Sequence, residues 1–256
     1  MWRISVIALH TMVVKETRRF MRVWIQTLLP PAVTTLLYFL IFGHVLGDKV
    51  GAVQGMPYAA YIAPGLIMMT VINNAYANGV SSFFQAKFFR SIEELLVAPI
   101  RPSLLLIGFM VGGIVRGAVV ALVVGAVAFC FVRVPVQHVL LTIIVVLLTA
   151  TVFSLAGIIN AIYAKKFDDT SLVPTFILTP LTYLGGVFFS VSALPGIWPE
   201  VARFNPIFYF VDLFRYAMLG VCDTNLVYAM WILVGLLVLL YLFAWGLLIR
   251  GQGIKT

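Results

Sequence analysis

Apolar runs of about twenty residues or more recur along this chain, and no other feature limits its possible folds so tightly. A helix rises about 1.5 Å per residue, so a run of that length covers the roughly 30 Å of hydrocarbon in a bilayer. Six such runs are readable: about Gln26–Val45, Tyr58–Val80, Leu104–Val132, Val139–Tyr163, Ser171–Val191 and Leu226–Ile249. Composition agrees. The chain is 62% hydrophobic and 10% charged, where a soluble domain is about 45–50% apolar and about 25% charged. A single soluble core has no room for that excess. The expected fold is therefore an all-α membrane protein with six transmembrane helices.

The net charge is +8, but the basic residues fall in the gaps between apolar runs. That placement marks membrane flanks and leaves no folded soluble face for nucleic acid. With the N-terminus inside, Arg3, Lys15, Arg18, Arg19, Arg22, Lys87, Arg90, Arg101, Lys165, Lys166, Arg250 and Lys255 share one side. Lys49, Arg133, Arg203 and Arg215 share the other. Twelve against four places both termini in the cytoplasm, and an even number of spans agrees. Cys130 and Cys222 have no metal-ligand spacing and are read as small apolar residues. A cleaved leader is not expected, since His10 interrupts the first apolar stretch and Lys15, Glu16, Arg18 and Arg19 follow it.

Residues 1–24 read as an amphipathic interfacial helix. Trp2, Val6, Leu9, Val13 and Phe20 form one stripe, and Arg3, Lys15, Arg18 and Arg22 another. A solvated N-terminal helix is the plainer alternative. Residues 25–256 form the transmembrane domain, with two long connections. The external one, about 194–222, is unusually apolar, so short re-entrant helices buried against the spans are expected. A helix lying on the outer surface is the alternative.

The cytoplasmic connection, about 88–100, contains Arg90-Ser91-Ile92-Glu93-Glu94-Leu95-Leu96-Val97. Ser91 with Glu94 three residues on is a capping-box pattern, and Pro99 and Pro102 stop the helix. Two turns of helix do not hold alone in water. This one is expected to expose Ile92, Leu95 and Leu96 and to dock on a partner or pack under its own spans. Lys165, Lys166, Asp168 and Asp169 make the other inner turn, read either as solvated charge or as a second cytoplasmic contact.

Polar groups inside the spans need partners, because lipid supplies none. Asn73, Asn74 and Asn78 in the second span and Arg116 in the third are candidates for a pathway or a subunit contact, with helix-to-helix bonding as the alternative. A central Arg costs about 2.5–3.5 kcal/mol on insertion scales. Proline and glycine interrupt several spans, at Pro30-Pro31, Pro64-Gly65, Pro174, Pro180 and Gly185-Gly186. No G-x-x-x-x-G-K-[ST], H-E-x-x-H or G-x-S-x-G occurs. No catalytic residue, metal ligand or cofactor site is expected in this chain.

The amphipathic start, the six runs, the Glu93–Pro99 loop, and the segment from Asn205-Pro206-Ile207 to Arg215-Tyr216 together resemble the ABC-2 type transporter permeases. So do the stretches Pro64–Met69, Phe167–Pro174 and Leu181–Phe188, and the resemblance covers essentially the whole chain. It implies a homodimer docked on two copies of a separate ABC ATP-binding subunit, which holds the ATP and Mg. It implies that Arg90 and Ile92–Val97 form a coupling helix, and that 1–24 is a connecting helix. Asn205, Pro206, Phe210, Arg215 and Tyr216 would belong to external gate helices. Tyr183 of the fifth span joins Asn73, Asn74, Asn78 and Arg116 as a pathway or dimer candidate. The implied function is export of a lipid, glycolipid or drug-like amphiphile across a bacterial inner membrane.

Two other classes compete. An ion-gradient-driven secondary transporter needs buried carboxylates or a discontinuous-helix ion site, and the acidic residues fall almost entirely outside the expected spans. An intramembrane enzyme needs a catalytic constellation, for which the chain offers no residues.

Overall fold

The computed structural model describes residues 2–45, 51–97, 101–132 and 134–251; of residues 2–5, 43–45 and 95–97 it describes the backbone. The chain is mainly helical. The first helix, α1 (Trp2–Arg22), is followed by α2 (Trp24–Tyr38), which widens into a π-helical stretch over Phe39–Val45. A two-residue hairpin, β1 (Ala52–Val53) against β2 (Met56–Pro57), leads into α3 (Tyr58–Phe88). Then come α4 (Ser91–Val97), α5 (Pro102–Phe131) and α6 (Val139–Tyr163). Next, α7 (Asp169–Val173) runs through a π turn, Pro174–Leu178, into α8 (Thr179–Leu184). The chain closes with α9 (Trp198–Arg203), α10 (Pro206–Leu219) and α11 (Leu226–Arg250).

Among the described residues, four helical stretches are long and apolar enough to cross a membrane: Trp24–Phe42, Pro102–Phe131, Val139–Tyr163 and Leu226–Arg250. The other two expected spans depart from that description for different reasons. Helix α3 is 31 residues long but carries Asn73, Asn74, Asn78, Ser81, Ser82 and Gln85, and it runs two turns past Val80. It is largely enclosed, packed by α5, α6, α10 and α2, so Asn74, Asn78 and Ser82 face protein, while Gln85 is exposed. The fifth segment is helical only over Asp169–Leu184 and ends at the Gly185-Gly186 turn, where Gly186 has φ +75°. Pro174 removes an N–H from its ladder, and the helix widens there to a π turn.

Close approach of α3 and α6 depends on two glycines. A Cβ on Gly79 would overlap the Ser154 carbonyl oxygen, and one on Gly157 would overlap that of Tyr76. Small residues let backbones meet where lipid gives no hydrophobic drive to association. Two apolar clusters result. The larger joins Tyr58–Val80 of α3 with α6 and α10; the smaller gathers Met12, Phe83, Phe84, Ile92, Phe109 and Ile158 at the α4 end.

On α1 the expected apolar stripe is packed in part: Phe20 is buried beside Met12 and Glu16, while Val6 is 51% exposed. Two expectations need correction. Ile92 of α4 is not exposed below the bundle; it is 1% exposed and packs in the smaller cluster. Ser91 does not act as the expected N-cap. Its hydroxyl donates back to the Ala86 carbonyl (3.2 Å), closing the end of α3, and Arg90 makes the reversal at φ +59°. Leu95, Leu96 and Val97 have helical backbone, and their side chains lie outside the described residues, as do Pro99, Lys49 and Arg133 altogether.

Candidate functional site: a polar cleft and the clasp beneath it

Helices α2, α3 and α5 enclose a cleft of about 360 Å³. From α2 it takes Gln26, Thr27, Pro30, Thr34 and Tyr38; from α3, Leu66, Met69, Thr70, Asn73 and Asn74; from α5, Arg116. The local reason is backbone chemistry within α3. Asn73 Nδ2 donates to the Met69 carbonyl and Asn74 Nδ2 to the Thr70 carbonyl, each at 3.0 Å. The amide hydrogens are thus held by their own helix, and the amide oxygens are left to face outward. Asn74 Oδ1 accepts twice from Arg116, from Nε at 3.2 Å and Nη2 at 2.9 Å. Asn73, Asn74 and Arg116, grouped from the sequence alone, therefore do meet.

Tyr183 also reaches this region: its hydroxyl lies 3.3 Å from that of Tyr38, and its ring stacks on Phe188. Asn78 does not reach the cleft. One turn further along α3, it accepts a bond from Arg19 Nη2 of α1 at 3.1 Å. Arg19 also pairs with Glu16 Oε2 at 3.2 Å, and Ser82 donates to that same oxygen at 2.6 Å. Glu16 is 3% exposed. The group forms a clasp between α1 and α3, and Asn78 Nδ2 and Arg19 Nε are buried in it with no acceptor among the described residues.

Sequence reasoning missed this clasp. It read Arg19 as a flank charge and treated buried acids as essentially missing. The signal was present: Glu16 is the sole acid of α1, four residues from Met12 and from Phe20 and three from Arg19, so it shares their face.

At the opposite end, α10 is enclosed rather than exposed along most of its length. Asn205 caps it by accepting from the Ile207 N–H at 3.0 Å, and its own Nδ2 donates to the Leu181 carbonyl at 2.5 Å. Pro206 fills the first position, where a missing N–H costs nothing. Phe210 is fully buried and meets Phe153 edge-on. Arg215 is 1% exposed, sits 4.2 Å from the Tyr61 ring centroid, and donates through Nη2 to the Gly186 carbonyl. Tyr216 stacks on His138. Asp212 and Asp223, both absent from the sequence-based candidates, hold the following turn. Asp212 accepts from the N–H groups of Asp223 and Thr224, and Asp223 accepts from Ser190 and Gln54.

On the α4 side, Glu93 and Glu94 are exposed and Arg90 precedes them. In the other inner turn, Asp169 accepts from the backbone N–H of Lys165 at 2.8 Å and of Lys166 at 3.0 Å, which holds its carboxyl below the usual range. Asp168 uses its carbonyl to receive Ser171 Oγ. Lys165, Lys166 and Asp169 thus form one turn, and it lies against the end of α3 that leads into Arg90–Glu94: Lys87 Nζ donates to the Ile162 and Ala164 carbonyls at 2.6 and 2.8 Å, and the Phe88 ring packs on Phe167. No group of three His, Cys, Asp or Glu suited to a metal occurs among the described residues.

Comparison with known proteins bears on the whole chain. The family model described as ABC-2 type transporter matches residues 7–219. The inner membrane transport permease YadH of Escherichia coli K12 is 49% identical over 250 residues, 98% of this chain and 98% of that one. Nodulation protein J of Rhizobium leguminosarum bv. trifolii is 28% identical over 186 residues, 72% of this chain and 71% of its own. Nodulation protein J of Sinorhizobium fredii is 31% identical over 193 residues, 72% of this chain and 70% of its own. The chain is a multi-pass membrane permease, and it belongs to the ABC-2 type transporter family.

Proposed function

We propose that this chain is the membrane subunit of an ATP-driven exporter. It works as a homodimer on two copies of a separate ABC ATP-binding subunit, which binds ATP and Mg. Its cargo is a hydrophobic or amphiphilic molecule. The observation that carries this reading is the cleft between α2, α3 and α5, where a half-buried Arg116 and Asn73 and a buried Asn74 sit beside two helices, α2 and α5, apolar enough for lipid. A polar cleft at that depth costs free energy in a bilayer, and a cargo path gives it a use.

In this reading the chain spans the membrane six times, with both termini in the cytoplasm. Helix α3 is the span that protein, rather than lipid, mostly surrounds, while the broken segment Asp169–Leu184 leaves Leu172, Phe176 and Ile177 exposed to lipid. Helices α9 and α10 enter from the outside as a re-entrant pair and close the outer end. Arg90, Glu93 and Glu94, with Leu95, Leu96 and Val97, meet the ATP-binding subunit. Lys165, Lys166, Asp168 and Asp169 make a second contact. Closure of the ATP-binding pair pushes α4, and the push reaches α3 because Ile92 packs with Phe83 and Phe84 in one apolar cluster.

The test is reconstitution with the ATP-binding subunit in inside-out vesicles, with ATP and candidate amphiphiles supplied in the outer medium. ATP-dependent accumulation is expected, and Glu94→Arg and Leu95→Asp should uncouple hydrolysis from transport without loss of insertion. Transport that ignores nucleotide and follows a proton or sodium gradient would sink the proposal.

That second outcome corresponds to a secondary transporter, and two buried carboxylates, Glu16 and Asp212, favour it more than the sequence did. Both are already engaged, Glu16 by Arg19 and Ser82 and Asp212 by Thr224 and the Asp223 N–H. A carboxylate so bonded is a structural anchor before it is an ion carrier.

A further inference from the structure

We propose that Arg116 is the headgroup-recognising residue of the cleft, and that the cargo is an anionic amphiphile, with a phosphate or carboxylate head on an apolar tail. The inference deepens the proposed function and rests on the cleft being the cargo path.

Charge balance is the first argument. The clasp and the cleft share three charged groups: Glu16, Arg19 and Arg116. Glu16 is taken by Arg19 at 3.2 Å. Arg116 is left with no carboxylate partner among the described residues. It spends Nε and Nη2 on one neutral oxygen, Asn74 Oδ1, and its Nη1 makes no bond among them. A guanidinium is always charged, and its planar fork fits two oxygens of a phosphate or carboxylate. Within a membrane an unmatched cation is disfavoured, so an anion that supplies the missing charge is held, and a cation is rejected.

The lining is the second argument. No carboxylate lines the cleft. The Thr34 hydroxyl lines the cleft, and the Tyr38 hydroxyl has its hydrogen free for a head oxygen when Tyr183 donates to it; the Thr27 hydroxyl is spent on the Val23 carbonyl. Leu66 and Met69 supply apolar wall beside them, which suits a tail leaving the head. A free inorganic anion would use the arginine but not these side chains.

The test is direct binding to the full chain in phosphatidylcholine nanodiscs, with empty discs as the blank. The probes are dodecyl phosphate, dodecyltrimethylammonium and inorganic phosphate. Dodecyl phosphate should bind, and the other two should bind at least about tenfold more weakly, the scale of one charge-assisted bond. Arg116→Gln should lose that preference, and Arg116→Lys should recover part of it. Competition from phosphatidylglycerol placed in the disc would identify a lipid headgroup as the source; lack of competition would identify a single-chain cargo; both carry the anionic head.

Equal binding of the cationic and anionic amphiphiles by the unaltered chain would overturn the proposal, and that measurement needs no variant to fold. Undiminished dodecyl phosphate binding by Arg116→Gln would overturn it too. ATP-driven transport of anionic cargo at full rate by Arg116→Gln would remove the headgroup role and leave the exporter standing. Loss of nucleotide dependence would remove the exporter while leaving the binding result intact.

Discussion

Asn74 and Asn78 lie one turn apart on α3, and each presents its amide oxygen to an arginine of a different helix: Asn74 to Arg116 of α5, Asn78 to Arg19 of α1. Residues four apart on a helix share a face. One face of α3 thus ties the N-terminal helix to the cleft through a few side chains, and a shift of α1 at the membrane surface has a short route to Arg116.

The clasp should behave as a unit. Glu16→Ala leaves Arg19 with neutral partners, and Arg19→Ala leaves a buried carboxylate with only Ser82. Breaking one side of a buried pair costs about 3–5 kcal/mol, so each variant should lower the thermal transition of the purified chain. The double variant should cost less than the sum of the two. A double-mutant cycle on the midpoint of thermal unfolding in detergent checks this, and strict additivity would show that the two side chains do not cooperate.

Asn74→Leu should strand Arg116 without removing it. The helix keeps its length and the apolar replacement suits the span, but both guanidinium bonds disappear. An unmatched hydrogen bond to a charged group costs about 1.5–3 kcal/mol. Expression at the membrane should fall, and Asn74→Gln or Asn74→Asp should restore it better than Asn74→Ser. Membrane-fraction yield and monodispersity in size exclusion give the readout; equal behaviour of Leu and Asp variants would contradict the pairing.

Much of this was readable before any fold was seen, and the reasons for the rest are physical. Helix α6 keeps the bounds expected from its apolar run, Val139–Tyr163, because lipid-facing helices report themselves by composition. Helix α3 is harder, because a helix surrounded by protein is free to be polar, so its last two turns do not stand out as membrane segment. The grouping of Asn73, Asn74 and Arg116 followed from the cost of polar groups in lipid. The bond from Arg19 to Asn78 did not, since it joins residues 59 apart in the chain and no local pattern encodes a tertiary contact. Ile92 was misjudged because a two-turn helix between spans has two places to hide an apolar side chain, and only the packed bundle decides between them.

The two faces of α4 should separate by mutation. Ile92→Asp places a charge among Phe83, Phe84 and Phe109, and an unpaired buried charge is not tolerated. It should reduce stability and insertion together. Glu94→Arg changes an exposed side chain and should leave thermal stability within about 0.5 kcal/mol, altering only the response to the ATP-binding subunit. Thermal unfolding and coupled ATPase activity measured on both variants distinguish these effects. Matching losses of stability in the two would mean that Glu94 is packed as well.

Arg215 presents a different dependence, on shape rather than charge alone. Its guanidinium sits over the Tyr61 ring while one nitrogen reaches the Gly186 carbonyl, at the turn that ends the broken fifth segment. Lysine keeps the charge but cannot stack and donate along a plane at once. Arg215→Lys should therefore destabilise the chain by roughly 1–3 kcal/mol, the combined scale of a desolvated cation–π contact and one charged hydrogen bond. Tyr61→Phe keeps the ring face and should be milder than Tyr61→Leu, which removes it. Because α10 and the Gly185-Gly186 turn are held together here, Arg215→Lys should also raise proteolytic cleavage between Val187 and Trp198 in proteoliposomes. Unchanged protection of that stretch, alongside an unchanged thermal midpoint, would show that α10 is held by its apolar packing and does not need the arginine.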